Sequence, residues 1–218
     1  MRDNLLFTQT SILSKYYHRQ YAPSPLHPDW RQFLLRDFPF KIGRLWAFQR
    51  AGWIAILDDD DFLNISTFNK AADIAAANPD LGAVLCDWDI VEEESGEIRT
   101  GRSGLIRYSD FLETPLACHQ LALVNCAKIP PEFFSIADSL EFCWEWLLTA
   151  GAILNAGAIH LQEVGYYWNQ WEGQHHRRVE KEIHKVTFQK VRNTLLEFAE
   201  SRKVQLNLTV PTWKGKQK

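Results

Sequence analysis

The sequence predicts an α/β fold with a mainly parallel central sheet and helices on both of its faces. Short apolar segments with strand character alternate with longer segments whose apolar residues recur at helical spacing. The chain has 218 residues, of which 46% are hydrophobic, so it can bury a proper core. We expect a single domain over residues 1–205 and a basic C-terminal tail over residues 206–218.

The first half of the chain predicts three strands and two helices. NLLFTQTS is typical of a strand and the loop that leaves it, whereas residues 15–30 contain three prolines and are expected to be loop. KIGRLWAFQRAG predicts a helix that ends at Gly52, before the strand WIAILD. The next helix, capped by Ser66 or Thr67, stops at NPDLG, and the strand GAVLCDWDIV follows.

The second half begins with a polar turn at Gly96 and continues as a loop and short helix over IRTGRSGLIRYSDFLE. SIADSLEFCWEWLLTAG predicts one helix closed by Gly151, and AILNAGAIHLQEVGYYW a strand pair or a strand with a loop. RRVEKEIHKVTFQKVRNTLLEFAESRK predicts a long amphipathic helix, and VPTWKGKQK a frayed end. The apolar positions of the long helix are Ile183, Val186, Val191, Leu195 and Phe198.

Composition argues against several classes of protein. The net charge of -3 does not suggest a protein that coats nucleic acid. No apolar run approaches the roughly 18 residues of a membrane span, and the N-terminal residues lack the apolar stretch of a signal peptide. The four cysteines form no CxxC pair, so we expect reduced thiols rather than a zinc site or disulfides. These features predict a soluble, cytoplasmic protein.

The apolar strand segment before residue 58 leads directly into four adjacent carboxylates, Asp58 to Asp61. Alternate residues of an extended chain point the same way, so Asp58 and Asp60 can converge while Asp59 and Asp61 point elsewhere. Open α/β sheets bind ligands at the carboxyl ends of their strands. Two carboxylates plus substrate phosphates is a common arrangement around Mg²⁺, and Mn²⁺ also takes oxygen ligands. The pattern predicts Mn²⁺ or Mg²⁺ on Asp60, assisted by Asp58; a solvated acidic loop is the alternative.

The stretch GWIAILDDDDFLNISTFNKAADIAAANPDLGAVLCDWDIVEEESGE resembles the middle of a family 2-type glycosyltransferase with the GT-A fold. That family typically shows a strand, Leu-Asp-x-Asp-Asp, a helix ending in Asn-Pro, a second strand and an acidic-Gly turn. Leu57 to Asp61 and Asn78-Pro79 occupy these positions here. The resemblance continues more weakly through SIADSLEFCWEWLLTAG and GYYWNQWEGQHHRR. It implies a metal-dependent enzyme that moves a sugar from a nucleotide-diphosphate sugar to a hydroxyl of a glycan or other acceptor, with inversion.

The resemblance also implies roles for individual residues. Asp58 faces the nucleotide or the metal, Asp60 is the metal ligand, and a catalytic base is expected in the segment that contains Asp138 and Glu141. These last two residues are three apart, so they lie near one face of the predicted helix. We favour Asp138 because it lies at the start of that helix, where it is alternatively an N-terminal cap.

Several further side chains are candidates from their positions. His175, in EGQHHRR, would complete the metal shell, although surface histidine pairs are often without function. Asp87 alternates with Asp89 along a strand and would contact the donor sugar, but a strand with one polar face explains it equally well. The remaining candidates for the nucleotide sugar are Thr8, Gln9, Thr10 and Asp59.

Two other interpretations of the aspartate run remain open. A phosphatase of the haloacid-dehalogenase type also uses Asp-x-Asp after a strand, but it needs a following Gly or hydroxyl residue, whereas Asp61-Phe62 follows here. A non-catalytic or degenerate glycosyltransferase-like sugar-binding module is the second. It is favoured by the segment before Gly52, which has no second strand ending in Asp-Asp or Asp-Gly-Ser.

Overall fold

The protein is described here from a computed structural model. The described residues are 5–9, 49, 52–57, 61–92, 95–102, 104–114, 122–140, 143–170 and 181–214. The strands are β1 (Leu5–Gln9), β2 (Trp53–Leu57), β3 (Phe62–Leu63), β4 (Ala83–Glu92), β5 (Ile98–Arg102), β6 (Ala122–Asn125) and β7 (Ala158–Gln170). The helices are α1 (Ile65–Ala77), α2 (Asp110–Glu113), α3 (Pro131–Ser139), α4 (Trp144–Ala156) and α5 (Lys181–Ser201).

These strands form one mixed sheet in the order β1-β2-β6-β4-β7-β3, with β5 paired to β4. The strands β1, β2, β4 and β7 all run in one direction, because β6 pairs antiparallel with both β2 and β4. The predicted α/β class and the parallel core are therefore confirmed. The insertion of β6 was not predicted, since strand direction depends on pairing and not on the residues of the strand itself.

One face of the sheet is covered by α1. Phe68, Ala71, Ile74 and Ala75 recur at helical spacing and pack on a cluster that includes Trp53, Ala55, Val84 and Trp88. The helix ends where the Asn78 side chain donates to the carbonyl of Ile74 at 2.8 Å, just before Pro79, which disfavours helical conformation at the residue before it.

The opposite face is covered by α3, α4 and α5, which share a second cluster with the sheet. Phe198 of α5 packs edge-on against Phe133 of α3, with ring centroids 5.1 Å apart. Val191, Leu195 and Phe198 are buried as predicted, whereas Val186 is 69% exposed. The sheet is thus covered on both faces, which leaves its strand ends as the place for a site.

The residues between 131 and 156 form two helices and not the single helix expected from the sequence. Helix α3 ends at Ser139, Leu140 is extended, and Cys143 adopts a left-handed conformation with φ of 59° before α4 begins. The break lets the chain fold back, so that Phe133 packs on Gly151. Gly151 therefore lies inside α4, which continues to Ala156 and is closed by Gly157 at φ of 76°.

Three local predictions about segment boundaries were also wrong. Asn64 caps α1, accepting hydrogen bonds from the backbone N–H groups of Ser66 and Thr67 at 3.1 and 3.3 Å. Strand β5 was expected to be loop because it lacks apolar alternation; it is exposed apart from its contact with β4. A strand pair or a strand with a loop was expected over residues 152–168, whereas residues 152–156 belong to α4 and residues 158–170 form one long strand.

The C-terminal segment up to Lys214 is docked rather than frayed. Val210 is buried, and its N–H donates to the carbonyl of Ile106 at 2.8 Å. The segment also pairs with the outer side of β7 at His160. Among the helices of the described residues, none combines the length and apolarity needed to cross a membrane.

The described cysteines are free thiols, as expected. Cys86 and Cys126 are buried and Cys143 is half-buried. Burial raises the pKa of the Cys126 thiol to about 12. Burial, with a smaller effect from Asp87 and Glu163, raises the pKa of Cys86 as well. These groups remain neutral at physiological pH and act as apolar packing.

Candidate functional site

The ends of β1 and β2 meet at the same edge of the sheet. Thr8 is in register with Ile56, and Gln9 with Leu57. Across β6, Ala55 lies level with Leu123 and Leu123 with Val84, which places Leu57 level with Cys86 of β4. The chain therefore leaves β2, just before the four-aspartate run, at the level of Asp87.

The last carboxylate of the run, Asp61, is buried and held by β7. Its Oδ2 accepts a hydrogen bond from the hydroxyl of Tyr166, and its Oδ1 accepts one from the N–H of Asn169 at 2.8 Å. Carboxylates that accept such bonds are stabilised in a buried position. Asp61 is thus directed to the protein interior.

The backbone that follows Asp61 is also paired with β7. Phe62 and Leu63 are in antiparallel register with Tyr167 and Tyr166, and the N–H of Asn64 donates to the carbonyl of Gly165 at 2.9 Å. The described residues on either side of the aspartate run therefore belong to β2 and to a segment paired with β7.

Asp87 forms a buried pair with His160 on the neighbouring strand. Nε2 of His160 donates to Oδ1 of Asp87 at 2.9 Å, and the imidazole is completely buried. Sequence reasoning missed His160. The signal available was a histidine in the apolar segment AIHL, but its partner is 73 residues away and cannot be seen from the chain alone.

Asp89 lies two residues beyond Asp87 on β4. Its pKa is raised, first by burial and then by the negative charge of Asp87. The effect of Asp87 indicates that the two carboxylates are close, as expected for alternate residues of one strand. Trp88, between them, points to the other face, where it packs edge-on against Trp168 with ring centroids 5.8 Å apart.

The geometry around Asp138 differs from the expectation. Asp138 is exposed and lies in the last turn of α3, not at the start of a helix. It is therefore not an N-terminal cap. The helix that contains Asp138 ends at Ser139 and does not continue to position 141, as had been expected. Glu141 itself lies outside the described residues, and the identity of the base stays a prediction.

Several predicted site residues lie outside the described part of the chain. They are Thr10, Asp58, Asp59, Asp60, Glu141 and His175. Within the described ranges, no group of three His, Cys, Asp or Glu side chains is arranged to hold a metal ion. Asp61 already accepts two hydrogen bonds from β7, and the assignment of a divalent cation to Asp58 and Asp60 stays a prediction.

Comparison with known proteins gives limited similarity. No model of a known protein family matches the chain. No curated protein matches it either. A structure of S. aureus TarS 1-349 in complex with UDP-GlcNAc is 18% identical over 76% of this chain and 47% of that chain, with a TM-score of 0.48. A structure of S. aureus TarS is 14% identical over 93% of this chain and 38% of that chain, also with a TM-score of 0.48. The chain spans less than half the length of these structures, and a likeness of this size assigns no activity.

Proposed function

We propose that the protein is a metal-dependent glycosyltransferase of the GT-A type, which transfers a sugar from a nucleotide-diphosphate sugar to a hydroxyl group of an acceptor. The observation that carries the proposal is the common sheet edge. The ends of β1 and β2 and the carboxylate of Asp87 lie at one level, where parallel strands of α/β proteins bind ligands. The aspartate run begins at that edge, and the resemblance to family 2 glycosyltransferases supplies the reaction.

Each predicted residue has a role in this proposal. Asp58 and Asp60, with His175, would hold Mn²⁺ or Mg²⁺, which stabilises the departing diphosphate as a Lewis acid. The hydroxyl and carboxamide groups at the end of β1 and the acidic side chains of the edge would contact the donor. These donor contacts are Thr8, Gln9, Thr10, Asp58, Asp59 and Asp87.

An inverting transfer also needs a group that removes the proton of the acceptor hydroxyl. A carboxylate within hydrogen-bond reach is sufficient. We propose Asp138, with Glu141 as the second candidate. The exposed position of Asp138 at the end of α3 supports this, because an acceptor must reach the base from solvent.

The first test is a thermal-shift screen with UDP, GDP, CMP, dTDP and their sugar conjugates, each with and without Mn²⁺. A ligand that binds the native state alone raises the melting temperature by mass action. We expect one nucleotide class to raise it in a Mn²⁺-dependent manner. The absence of any shift in folded protein would reject the transferase.

Two variants separate donor binding from transfer. Asp60→Ala should abolish the Mn²⁺-dependent shift, while the melting temperature without ligand is unchanged. Asp138→Asn should keep the shift and lose transfer, so it serves as the matched control for donor binding. Normal donor affinity in Asp60→Ala would reject the metal assignment, and unchanged turnover in Asp138→Asn would place the base elsewhere.

A non-catalytic sugar-binding module is the second candidate, because the sequence before Gly52 lacks an element for base recognition. Such a module would bind free saccharides without Mn²⁺ and would not cleave a nucleotide sugar. Release of UDP, GDP or dTDP from a sugar conjugate in the presence of Mn²⁺ would exclude it.

A further inference from the structure

His160 is buried in a manner that packing alone does not require. Its side chain is fully inaccessible, and its neighbours on the strand include the buried residues Ala158 and Leu161. Among the described residues, no group forms a hydrogen bond with its Nδ1. A leucine at this position would avoid that unsatisfied atom. The polar contact that a histidine makes here, and a leucine would not, is the hydrogen bond to Asp87.

The contact with Asp87 determines which nitrogen of the imidazole donates the hydrogen bond. A carboxylate accepts hydrogen bonds and does not donate them, so Nε2 of His160 must carry the proton. His160 therefore donates one hydrogen bond from Nε2 to Asp87 in a fixed direction.

The backbone of His160 is hydrogen-bonded to the C-terminal segment. Its N–H donates to the carbonyl of Pro211 at 2.8 Å, and its carbonyl accepts from the N–H of Trp213, also at 2.8 Å. The other edge of β7 pairs with β4, where Leu85 is in register with His160. The backbone of His160 is thus held on both sides, and its ring has little freedom to move.

Asp87 is restrained by this bond but is not closed off from solvent. Its side chain is 10% exposed, and among the described residues His160 is the one side chain recorded as donating to it. The hydrogen bond involves Oδ1, so Oδ2 remains able to accept from a ligand hydroxyl. The carboxylate lies at the level where β2 ends, beside the start of the aspartate run.

We propose that His160 is a positioning residue, which orients the carboxylate of Asp87 so that its second oxygen accepts a hydrogen bond from a hydroxyl group of the donor sugar. This inference rests on the proposed function. It adds to the proposed site His160, a residue that acts through Asp87. It also assigns the effect of His160 to the sugar of the donor rather than to the nucleotide.

The test uses the full chain and two substitutions that differ in one property. Gln at position 160 is long enough to donate an N–H to Asp87, whereas Leu fills similar space and cannot donate. The probes are UDP-glucose, GDP-mannose and dTDP-glucose, each compared with its free nucleotide in the presence of Mn²⁺. Affinities are measured by calorimetry for whichever pair binds the native protein.

We expect His160→Leu to weaken binding of the nucleotide sugar by about tenfold, the effect of one hydrogen bond, and binding of the free nucleotide by less than about twofold. His160→Gln should restore most of the sugar affinity. Tyr108→Phe is the control, because the Tyr108 hydroxyl accepts from the N–H of Ala158 at 3.4 Å, two residues along the same strand. It should leave both affinities unchanged.

Each result has one meaning. Equal sugar affinity in His160→Leu and the native protein would reject the positioning role while leaving the transferase intact. An equal loss of sugar and nucleotide affinity would reject the assignment to the sugar. No binding of any probe to the native protein would reject the proposed function, and this inference with it.

A ligand-free measurement tests the hydrogen bond itself. In ¹⁵N-histidine-labelled protein, the resonance that disappears in His160→Gln should show a proton on Nε2. An Nε2 without a proton would overturn the assigned hydrogen bond, whether or not any of the ligands binds.

Discussion

Two buried carboxylates near the end of β2, Asp61 and Asp87, both take hydrogen bonds from residues of β7. Asp61 accepts from Tyr166 and Asn169, and Asp87 accepts from His160. Burying a carboxylate without donors is costly, so β7 is what allows acidic residues to approach the sheet edge. At the scale of single residues, the donors on β7 stabilise both carboxylates in buried positions.

Tyr166→Phe tests the structural role of Asp61. Loss of the hydroxyl removes a donor from a buried carboxylate, so the free energy of unfolding in urea should fall by about 1–3 kcal/mol. Tyr167→Phe is the matched control, because Tyr167 is only half-buried and should change stability by less than about 0.5 kcal/mol. Equal effects of the two substitutions would contradict the assignment.

Alternation along the chain predicted that Asp61 points away from the object on which Asp58 and Asp60 converge, and for Asp58 and Asp60 this stays a prediction. It could not identify the partner, because Tyr166 is 105 residues away in the sequence. The same limit applied to Asp87 and His160. A strand position predicts the face on which a side chain lies, but the opposite strand determines what it contacts.

Among the secondary-structure elements, α1 has features that its local sequence predicted and one feature, its start, that tertiary contacts decided. Its existence followed from the spacing of apolar residues, and its end from Asn-Pro. Its start was misplaced, because Asn64, Ser66 and Thr67 are all acceptable caps by residue type. Pairing of the Asn64 N–H with Gly165 keeps Asn64 outside the helix and makes it the cap.

The capping assignment predicts a clear difference between two alanine substitutions. Asn64→Ala removes the side chain that accepts from Ser66 and Thr67, and it should cost about 1 kcal/mol in the free energy of unfolding. Ser66→Ala should be nearly neutral, because Ser66 is exposed and its backbone, not its hydroxyl, makes the capping bond. A larger loss for Ser66→Ala would show that the cap is Ser66.

The hairpin of α3 and α4 depends on a glycine that sequence reasoning interpreted as a helix end. A Cβ at Gly151 would lie 2.5 Å from a ring carbon of Phe133. A small residue is needed at this position because α3 crosses α4 there. The local sequence of α4 does not reveal this contact.

Gly151→Ala tests this crossing. Alanine normally stabilises a helix interior by about 1 kcal/mol relative to glycine, but overpacking against Phe133 costs about 1–3 kcal/mol, so we expect net destabilisation in urea. In a Phe133→Leu background the same change should become neutral or stabilising. The same sign of effect in both backgrounds would disprove the crossing.

At the scale of the whole molecule, the C-terminal segment contacts the hydrophobic clusters on both faces of the sheet. Val210 is buried in the core that contains α3, α4 and α5, and Trp213 packs on the opposite cluster with α1. Pairing with β7 covers an edge that would otherwise expose unpaired backbone groups. The segment that the sequence suggested would fray is therefore docked on the sheet as far as Trp213.

Val210→Ala should lower the free energy of unfolding by about 1–3 kcal/mol, because it removes buried methyl groups and leaves a cavity. Leu208→Ala removes more carbon from a residue that is 49% exposed, and it should cost less. Urea unfolding of both variants measures the comparison. A smaller loss for Val210→Ala than for Leu208→Ala would mean that the segment is not docked in solution.

The sequence alone determined the class of fold, most strands, the long C-terminal helix and the acidic edge of the sheet. These features follow from periodicity and from turn residues, which act over a few neighbouring positions. The tertiary structure alone decided the antiparallel insertion of β6, the break before α4, the docking of the C-terminal segment and the partners of Asp61 and Asp87. Each of these depends on contacts between residues distant in the chain, whose free energy has no trace in the local pattern.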